Sequence, residues 1–539
     1  MKKQCAYPYY EHKRLYTLKE LVRFCAETYG EKPAFLFRER KAPVAISYLR
    51  FREDVCALGS WMLQAFGPDA HVGILGENSY AWILTHFAVT CGGGVAVPID
   101  KDLDTEEITR LLKDSGCEVL FHSNTYADVA ASLRQALPQL RLQNMKTIQD
   151  LIASGDAAFA GGSQAFFQRE LSPDSLASVV YTSGTTGMPK GVMLTHSNLC
   201  ACMYGSASNV TIAGTSLLVL PLHHAFGLTA GVFSVMYTGF PIYINRSLKR
   251  LTEDFRVCTP DNLFAVPLIV ETFHKNIWAS ARKQNKEKQL KALIKVSDLL
   301  RKLGIDLRKR LFRSVLEAFG GSLSLIVSGG AALDEKYVQD FRSLGITVLN
   351  GYGITECGPV VAVNRNKFVV PESVGLPLRC NQVRISADGE LQVTGDNVTP
   401  GYYHNETESE KAFTKDGWFR TGDLGFLDKD GALHITGRIK NLIILSNGEN
   451  IPAEAIEREI FTIPYVKEAV AFGKNGHIAV EAFLDEDAQK TKDDFDADIQ
   501  MLNMRLPQNR NIGETILRDT PFTKTTTQKI KRQEELKRT

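Results

Sequence analysis

The chain has 539 residues, a formal net charge of +2, 44% hydrophobic residues and 23% charged residues. That is ordinary globular usage, with length for three or four domain-sized units, and the near-balanced charge argues against a dedicated nucleic-acid binder. Ten cysteines run from Cys5 to Cys380 with no CxxC pair and no metal-finger spacing, which fits a reduced, cytoplasmic protein.

The opening "MKKQCAYPYYEHKRLY" is basic but lacks the apolar stretch of a secretion signal. "HVGIL" followed by "GENSYAWILTHFAV" reads as strand, turn and helix. "YAWILTHFAVTCGGGVAVPI" is the strongest transmembrane candidate, but His86, two threonines and a triple glycine make it a buried helix, a turn and a buried strand. "CEVLFHS", "SLLVLPL", "PIYIN", "LFAV" and "SLIVSGG" are short apolar strands separated by longer amphipathic stretches. This alternation predicts an α/β fold with layered parallel sheets. From Gln382 the pattern changes: "QVRISADGELQVTG" and "FLDKDGALHITG" alternate in period two around Asp-Gly turns and read as hairpins. The last hundred residues return to mixed α and β. "IPAEAIEREIF" predicts a helix, "VKEAVAFGK" and "HIAVEAFLD" predict strands, and "DEDAQKTKDDFDAD" predicts a solvated acidic connection or helix face.

One run is too polar for core and too ordered for a linker: "YTSGTTGMPKGVMLTH" at 181–196. Gly184, Gly187 and Gly191 permit positive φ and close backbone approach. Ser183, Thr185 and Thr186 add hydroxyls beside exposed N–H groups, a combination that binds anions, and Lys190 adds a full positive charge. A Walker A loop needs GxxxxGK[ST]. Here proline precedes the lysine and glycine follows it, so that motif is absent.

The run resembles the phosphate-binding signature of the adenylate-forming (AMP-binding) superfamily. Further motifs stand in the family's order: "PLHHAFG" at 221–227, "NGYGITECGP" at 350–359, "GELQVTGDNVTPGYY" at 389–403, "WFRTGD" at 418–423, "GRIKNLIILSNGENI" at 437–451 and "TKTTTQKIKR" at 523–532. The segment from 288 to 333 is most similar to bacterial long-chain fatty acyl-CoA synthetases. The resemblance implies a large N-terminal domain, 1–439, with a β-barrel-like subdomain at about 360–436, and a small mobile α+β domain, 440–539. The implied substrates are ATP, a fatty acid and coenzyme A, with Mg²⁺ as cofactor.

The same resemblance assigns roles. Thr182, Ser183, Gly184, Thr185, Thr186, Gly187 and Lys190 would cradle phosphates. Asn350, Gly351 and Tyr352 would flank the adenine, Thr355 would bond the α-phosphate, and Glu356 would hold Mg²⁺. Asp423 would take the ribose hydroxyls, with Arg438 beside it. His224 would line the acyl-carboxylate entrance, and Gly329, Gly330, Ala331 and Gly353 would wall the acyl pocket. Lys529 would bridge the two reacting anions, although Gln528 stands where the family more often has glycine. Lys440 would be the hinge. His223 and His224, taken as adjacent residues of a strand, point to opposite faces and make poor chelators.

Residues 282–313 hold twelve Lys/Arg and three Asp/Glu, a net +9. They read either as surface helices with solvated charges or as a cationic face in peripheral contact with anionic membrane. Three rivals to a fatty acyl-CoA ligase remain: an adenylating enzyme that loads an acyl carrier protein or takes an aryl acid, a phosphotransferase, and a non-catalytic nucleotide or lipid binder.

Overall fold

The structure is a computed structural model that describes residues 8–39, 42–159, 166, 168–182, 189–524 and 530–536. Two compact units are present: Met1–Gln382 with Val393–Phe419, and Val383–Gln392 with Arg420–Thr539. This division by contacts differs from a boundary at 439/440, because the β-rich residues 420–438 group with the C-terminal ones.

The first unit holds two sheets. A six-stranded sheet runs in the order Arg141–Asn144, Val119–His122, His71–Leu75, Val95–Ile99, Leu176–Thr182 and Lys190–Thr195. Its pairs are parallel except the last, which is antiparallel. A nine-stranded sheet has a parallel centre, from Thr347–Gly353 through Leu325–Ser328, Asn262–Ala265, Ser216–Leu218 and Ile242–Ile244 to Pro33–Glu39. The apolar runs singled out in the sequence are these buried strands. Strands Val360–Val363 and Leu376–Pro377 add antiparallel pairs at one edge. They were expected in a separate β-rich subdomain from 360. All four residues of Val360–Val363 are buried, so this strand extends the large sheet instead. The separate β-rich element is a four-stranded sheet that starts at Asn381.

Helix Tyr80–Gly92 is buried on every side, as its unbroken hydrophobicity requires. The Ser79 hydroxyl caps it by accepting from the Trp82 N–H at 3.2 Å. Gly93 ends it in the left-handed region at φ 92°. No helix among the described residues is long and apolar enough to cross a membrane. The nine described cysteines are free thiols.

The second unit carries most of the four-stranded sheet. It also contains helix Ala453–Ile460, the antiparallel pair Val466–Lys474 and His477–Leu484, and the parallel strand Ile512–Leu517. The acidic stretch becomes helix Lys492–Asn503, capped by Thr491, with Phe495, Ile499 and Leu502 turned inward. Ile456, Val480 and Phe495 belong to a hydrophobic cluster confined to residues 443–517.

His86 lies inside the first unit, stacked on Trp82 with ring centroids 5.8 Å apart. Neither ring nitrogen has a hydrogen-bond partner among the described residues, and burial lowers its pKa to about 3. A base depressed in the folded state stabilises the fold fully above its unfolded pKa near 6.5 and progressively less as pH falls towards 3. One such group contributes a slope of about 1.4 kcal/mol per pH unit. His86→Leu is therefore expected to flatten the fall in melting temperature between pH 7 and pH 5. An unchanged slope would show that His86 is not held neutral.

Candidate active site

Strands Leu176–Thr182 and Lys190–Thr195 pair with Thr182 opposite Lys190, so the glycine-rich run joins two strands. Ser183, Gly184, Thr185, Thr186 and Gly187 lie outside the described residues, as does Lys529. Lys190 stands at the start of its strand, and its ammonium pairs with Glu408. Lys411 also donates to Glu408, at 2.9 Å. Hydrogen bonds from Lys190 and then Lys411 bring the Glu408 carboxyl down to about 2.

Residues 399–403 lie along the Lys190–Thr195 strand. Met193 N–H donates to Gly401 O at 3.1 Å and Tyr403 N–H to Gly191 O at 2.7 Å, with a bridge between Val192 and Tyr402. This register sets the Tyr402 ring 5.0 Å from the Lys190 ammonium. The Tyr402 hydroxyl donates to Glu356 Oε1 at 2.9 Å, and Thr399 N–H donates to the Glu356 carbonyl at 2.7 Å. Burial first, then the Glu356 charge, raise the Tyr402 pKa, so this phenol stays a donor. Glu356 and Thr355 share a single 3₁₀ turn, Thr355–Cys357. A carboxylate beside hydroxyls is a hard-oxygen donor set, which suits Mg²⁺; the residues present fit that ion.

Strand Thr347–Gly353 ends in the adjacent pocket. Asn350 is buried, and its carbonyl accepts from Asn364 N–H at 2.9 Å. Gly351, Tyr352 and Gly353 line a cavity with Gly329 and Gly330, with about 740 Å³ of unfilled space counted to its open mouth. Gly353 is required: a Cβ there would stand 1.9 Å from the Pro359 carbonyl oxygen. Gly330 sits at φ +87°, where a side chain would be strained. The remaining wall includes Val210, Phe226, Ala230, Phe264, Val327 and Val360, and among the described residues no charged side chain lines the cavity. Ala331 is exposed and, with His224 and Asn350, is not part of that lining.

His223 and His224 do not lie on a strand. They occupy a turn after Ser216–Leu218, with ring centroids 4.3 Å apart, so the opposite-face expectation is wrong. That expectation applied strand geometry one turn too far.

In the second unit, Arg438 Nε donates to Asp423 Oδ1 at 2.6 Å across paired strands. Asp423 is buried and Arg438 partly exposed. Lys440 sits in the turn Ile439–Asn441, where desolvation first and the Arg438 charge next lower its pKa. Lys524, a residue of the basic tail, is paired with Glu468 at 2.6 Å.

Sequence reasoning missed Tyr402 and Glu408. Tyr402 stands inside a quoted motif, but Glu408 lies 218 positions from Lys190 and carries no local signal. Phe226 and Val360 were missed for the same reason.

A fold with two sheets in one unit and a second α+β unit, together with this constellation, defines a class of enzyme. The family model for AMP-binding enzymes matches residues 22–403, and that for the AMP-binding enzyme C-terminal domain matches 440–538. The chain belongs to the AMP-binding enzyme family. It is 32% identical over 441 residues to a long-chain-fatty-acid–CoA ligase, FadD15, of Mycobacterium bovis, covering 77% of this chain and 73% of that one. It is 25% identical over 544 residues to the chloroplastic long-chain-fatty-acid–[acyl-carrier-protein] ligase AEE15 of Arabidopsis thaliana, covering 85% and 74%. In fold it is similar to ATP-bound MatB from Rhodopseudomonas palustris, with a TM-score of 0.77 at 22% identity over 96% of this chain and 98% of that one.

Tyr402→Phe removes the donor to Glu356 and leaves the ring in place. A hydrogen bond to a charged group contributes about 1.5–3 kcal/mol, so ATP–pyrophosphate exchange should fall roughly tenfold or more, measured at a temperature where the variant is shown to be folded. Exchange at the parent rate would remove Tyr402 from the site.

Proposed function

We propose that the protein is an AMP-forming fatty acid–CoA ligase. The observation that carries this reading is the apolar cavity beside Tyr352, walled by glycines at one end and, among the described residues, free of charged side chains. It suits a carboxylic acid with an apolar tail and no α-amine. In the first half-reaction a carboxylate oxygen attacks the α-phosphorus of ATP, and the bond to pyrophosphate breaks. In the second the CoA sulfur attacks the acyl carbonyl, AMP departs, and the thiol proton passes to solvent.

The carboxylate is already ionised at neutral pH, so the first step needs charge neutralisation rather than a strong base. Lys190 and Lys529 supply positive charge, and Thr355 supplies a hydroxyl donor. Mg²⁺ held by Glu356 would offset phosphate charge. Asp423 and Arg438 hold the ribose, and Asn350, Gly351 and Tyr352 flank the adenine. His224 lies at the carboxylate entrance. Lys440 is the hinge about which residues 440–539 change their presentation between the half-reactions. An acyl carrier protein is the alternative acceptor, the one named for the Arabidopsis relative. We keep CoA because the sequence between Tyr403 and Asp423 carries no extra segment to block domain rotation.

The test is ATP–pyrophosphate exchange across a panel of acids, followed by mass detection of the thioester with CoA and with carrier protein. Exchange restricted to amino or aryl acids would overturn the fatty-acid reading. ADP release would point to a phosphotransferase. Lys529→Ala should lower acyl-adenylate formation by about 10²–10³ and spare thioester formation from supplied acyl-adenylate. Among the described residues Lys531 pairs with exposed Glu534, so Lys531→Ala is the neutral control. Lys440→Pro should spare exchange and block thioester formation, because proline fixes φ near −65°. Normal thioester turnover by the folded variant would refute the hinge.

The reading also places the protein in the cytoplasm, in peripheral contact with anionic membrane. Support comes from helix Glu287–Lys302, whose inner face packs through Leu290 against Phe312 and Leu344. At about 100° per residue, Ala292, Val296, Leu299 and Leu303 fall within about 60° of one another. Lys288, Lys291, Lys295 and Lys302 occupy the adjoining sector. Leu299 is 62% exposed and Leu303 is 70% exposed, so an apolar stripe lies open beside a row of lysines. Each basic residue near an anionic surface contributes about 1 kcal/mol. Replacing Lys288, Lys295 and Lys302 with glutamine should weaken co-sedimentation with phosphatidylserine vesicles by roughly 100-fold. A parent protein that does not sediment with such vesicles would leave this face as solvated surface.

A further inference from the structure

The turn that carries His223 and His224 is clamped from a neighbouring element. Asn78 Nδ2 donates to Leu220 O at 2.8 Å, and Leu222 N–H donates to Asn78 Oδ1 at 3.1 Å. The turn therefore has little freedom to separate the two imidazoles. Asp100, directly after strand Val95–Ile99, reaches the same point from the other sheet. Its Oδ1 stands 3.2 Å from His223 Nε2. One ligand atom from each of Asp100, His223 and His224 lies within 4.8 Å of the others, and this is the only such group among the described residues.

Two features distinguish this cluster from an ordinary buried histidine. His223 is 5% exposed, yet its Nε2 makes no hydrogen bond among the described residues. The carboxylate is near enough to accept one, so the ring axis must miss the oxygen. Such an offset is what two ligands of one ion show, because both aim at a point between them. Metal–nitrogen and metal–oxygen bonds of about 2.0–2.2 Å give an edge between neighbouring ligands of about 3.0–3.4 Å, which includes the observed separation. A metal takes the lone pair of a neutral imidazole nitrogen.

We propose that Asp100, His223 and His224 form a site for a borderline divalent transition ion such as Zn²⁺ or Co²⁺. Two imidazoles and one carboxylate are an N₂O set, which favours such ions over Mg²⁺. Three protein ligands leave a coordination position open. Closing the triangle from the present spread of up to 4.8 Å requires the partly exposed His224 ring to turn. The ion would engage His224 and so compete with its place at the carboxylate entrance. That consequence rests on the ligase reading; the binding itself does not.

The test is titration of the full-length, chelator-treated protein with Co²⁺, followed by visible absorbance. One equivalent should produce d–d bands without the near-ultraviolet bands of thiolate ligation. Asp100→Asn and His223→Ala should each weaken binding at least tenfold, with melting temperature recorded alongside. If His223→Ala does not fold, Asp100→Asn, a change of one charge at constant shape, decides. No bands in the parent, or parent-like binding by Asp100→Asn, would overturn the site. Zn²⁺ at one equivalent should also lower pyrophosphate exchange in the parent. Binding without that loss would overturn the inhibitory consequence, whereas absence of exchange in the parent supplied with Mg²⁺ alone would count against the ligase reading.

Discussion

The catalytic half of the molecule depends on one register: residues 399–403 lying along the strand that begins at Lys190. Two backbone hydrogen bonds and one bridge fix it. Because alternate residues of a strand point to opposite faces, a slip of one position would turn Tyr402 away from Glu356. With the register in place, a cation, a phenol and a carboxylate from three distant segments meet. The Lys190 charge is taken by Glu408, a pair about a quarter exposed. Such partly exposed pairs contribute little net stability, so Lys190 and Glu408 can part at small cost. The arrangement keeps Lys190 in position without committing it.

Much of this was legible in the sequence, for physical reasons. A strand buried on both faces must be apolar throughout, so "HVGIL", "SLLVLPL" and "SLIVSGG" announced themselves. A helix buried on all sides must be hydrophobic throughout, so "YAWILTHFAV" could be separated from a membrane span by its His86 and its closing glycines. The glycine-rich run stood out because glycine, hydroxyls and lysine in that order have few uses other than binding an anion, although residues 183–188 lie outside the described ones. What sequence could not give was pairing across long separations. Lys190 with Glu408, Asp100 with His223, and Phe226 with Val360 along one cavity are products of sheet order. No local spacing encodes that order.

The two histidines of "PLHHAFG" show how such errors arise. The strand pattern is strong up to Leu218, and extending it to 224 predicts divergent side chains. The chain instead turns at Pro221, where His224 N–H donates back to the Pro221 carbonyl at 3.2 Å. A turn brings neighbouring side chains together where a strand separates them. Proline ahead of the pair was the available signal, since it lacks the N–H that a ladder needs.

The second unit is built for a different demand. Its hydrophobic cluster closes on its own residues, from Ile443 to Ile512, so its internal packing does not depend on borrowed side chains. Its tail is tied down on both sides of the undescribed 525–529. Lys524 pairs with Glu468, Arg532 pairs with Glu457 and donates to the Ala471 carbonyl at 2.8 Å, and Arg518 pairs with Glu535. Glu457 is buried, and burial raises its carboxyl to about 7 against the opposing pull of Arg532. Breaking one member of a buried pair leaves an uncompensated charge, which is strongly destabilising. The tail is therefore held to its own unit more firmly than a surface extension would be. Ties of this kind, together with a core closed on residues 443–517, let the second unit keep its internal geometry without side chains borrowed from elsewhere.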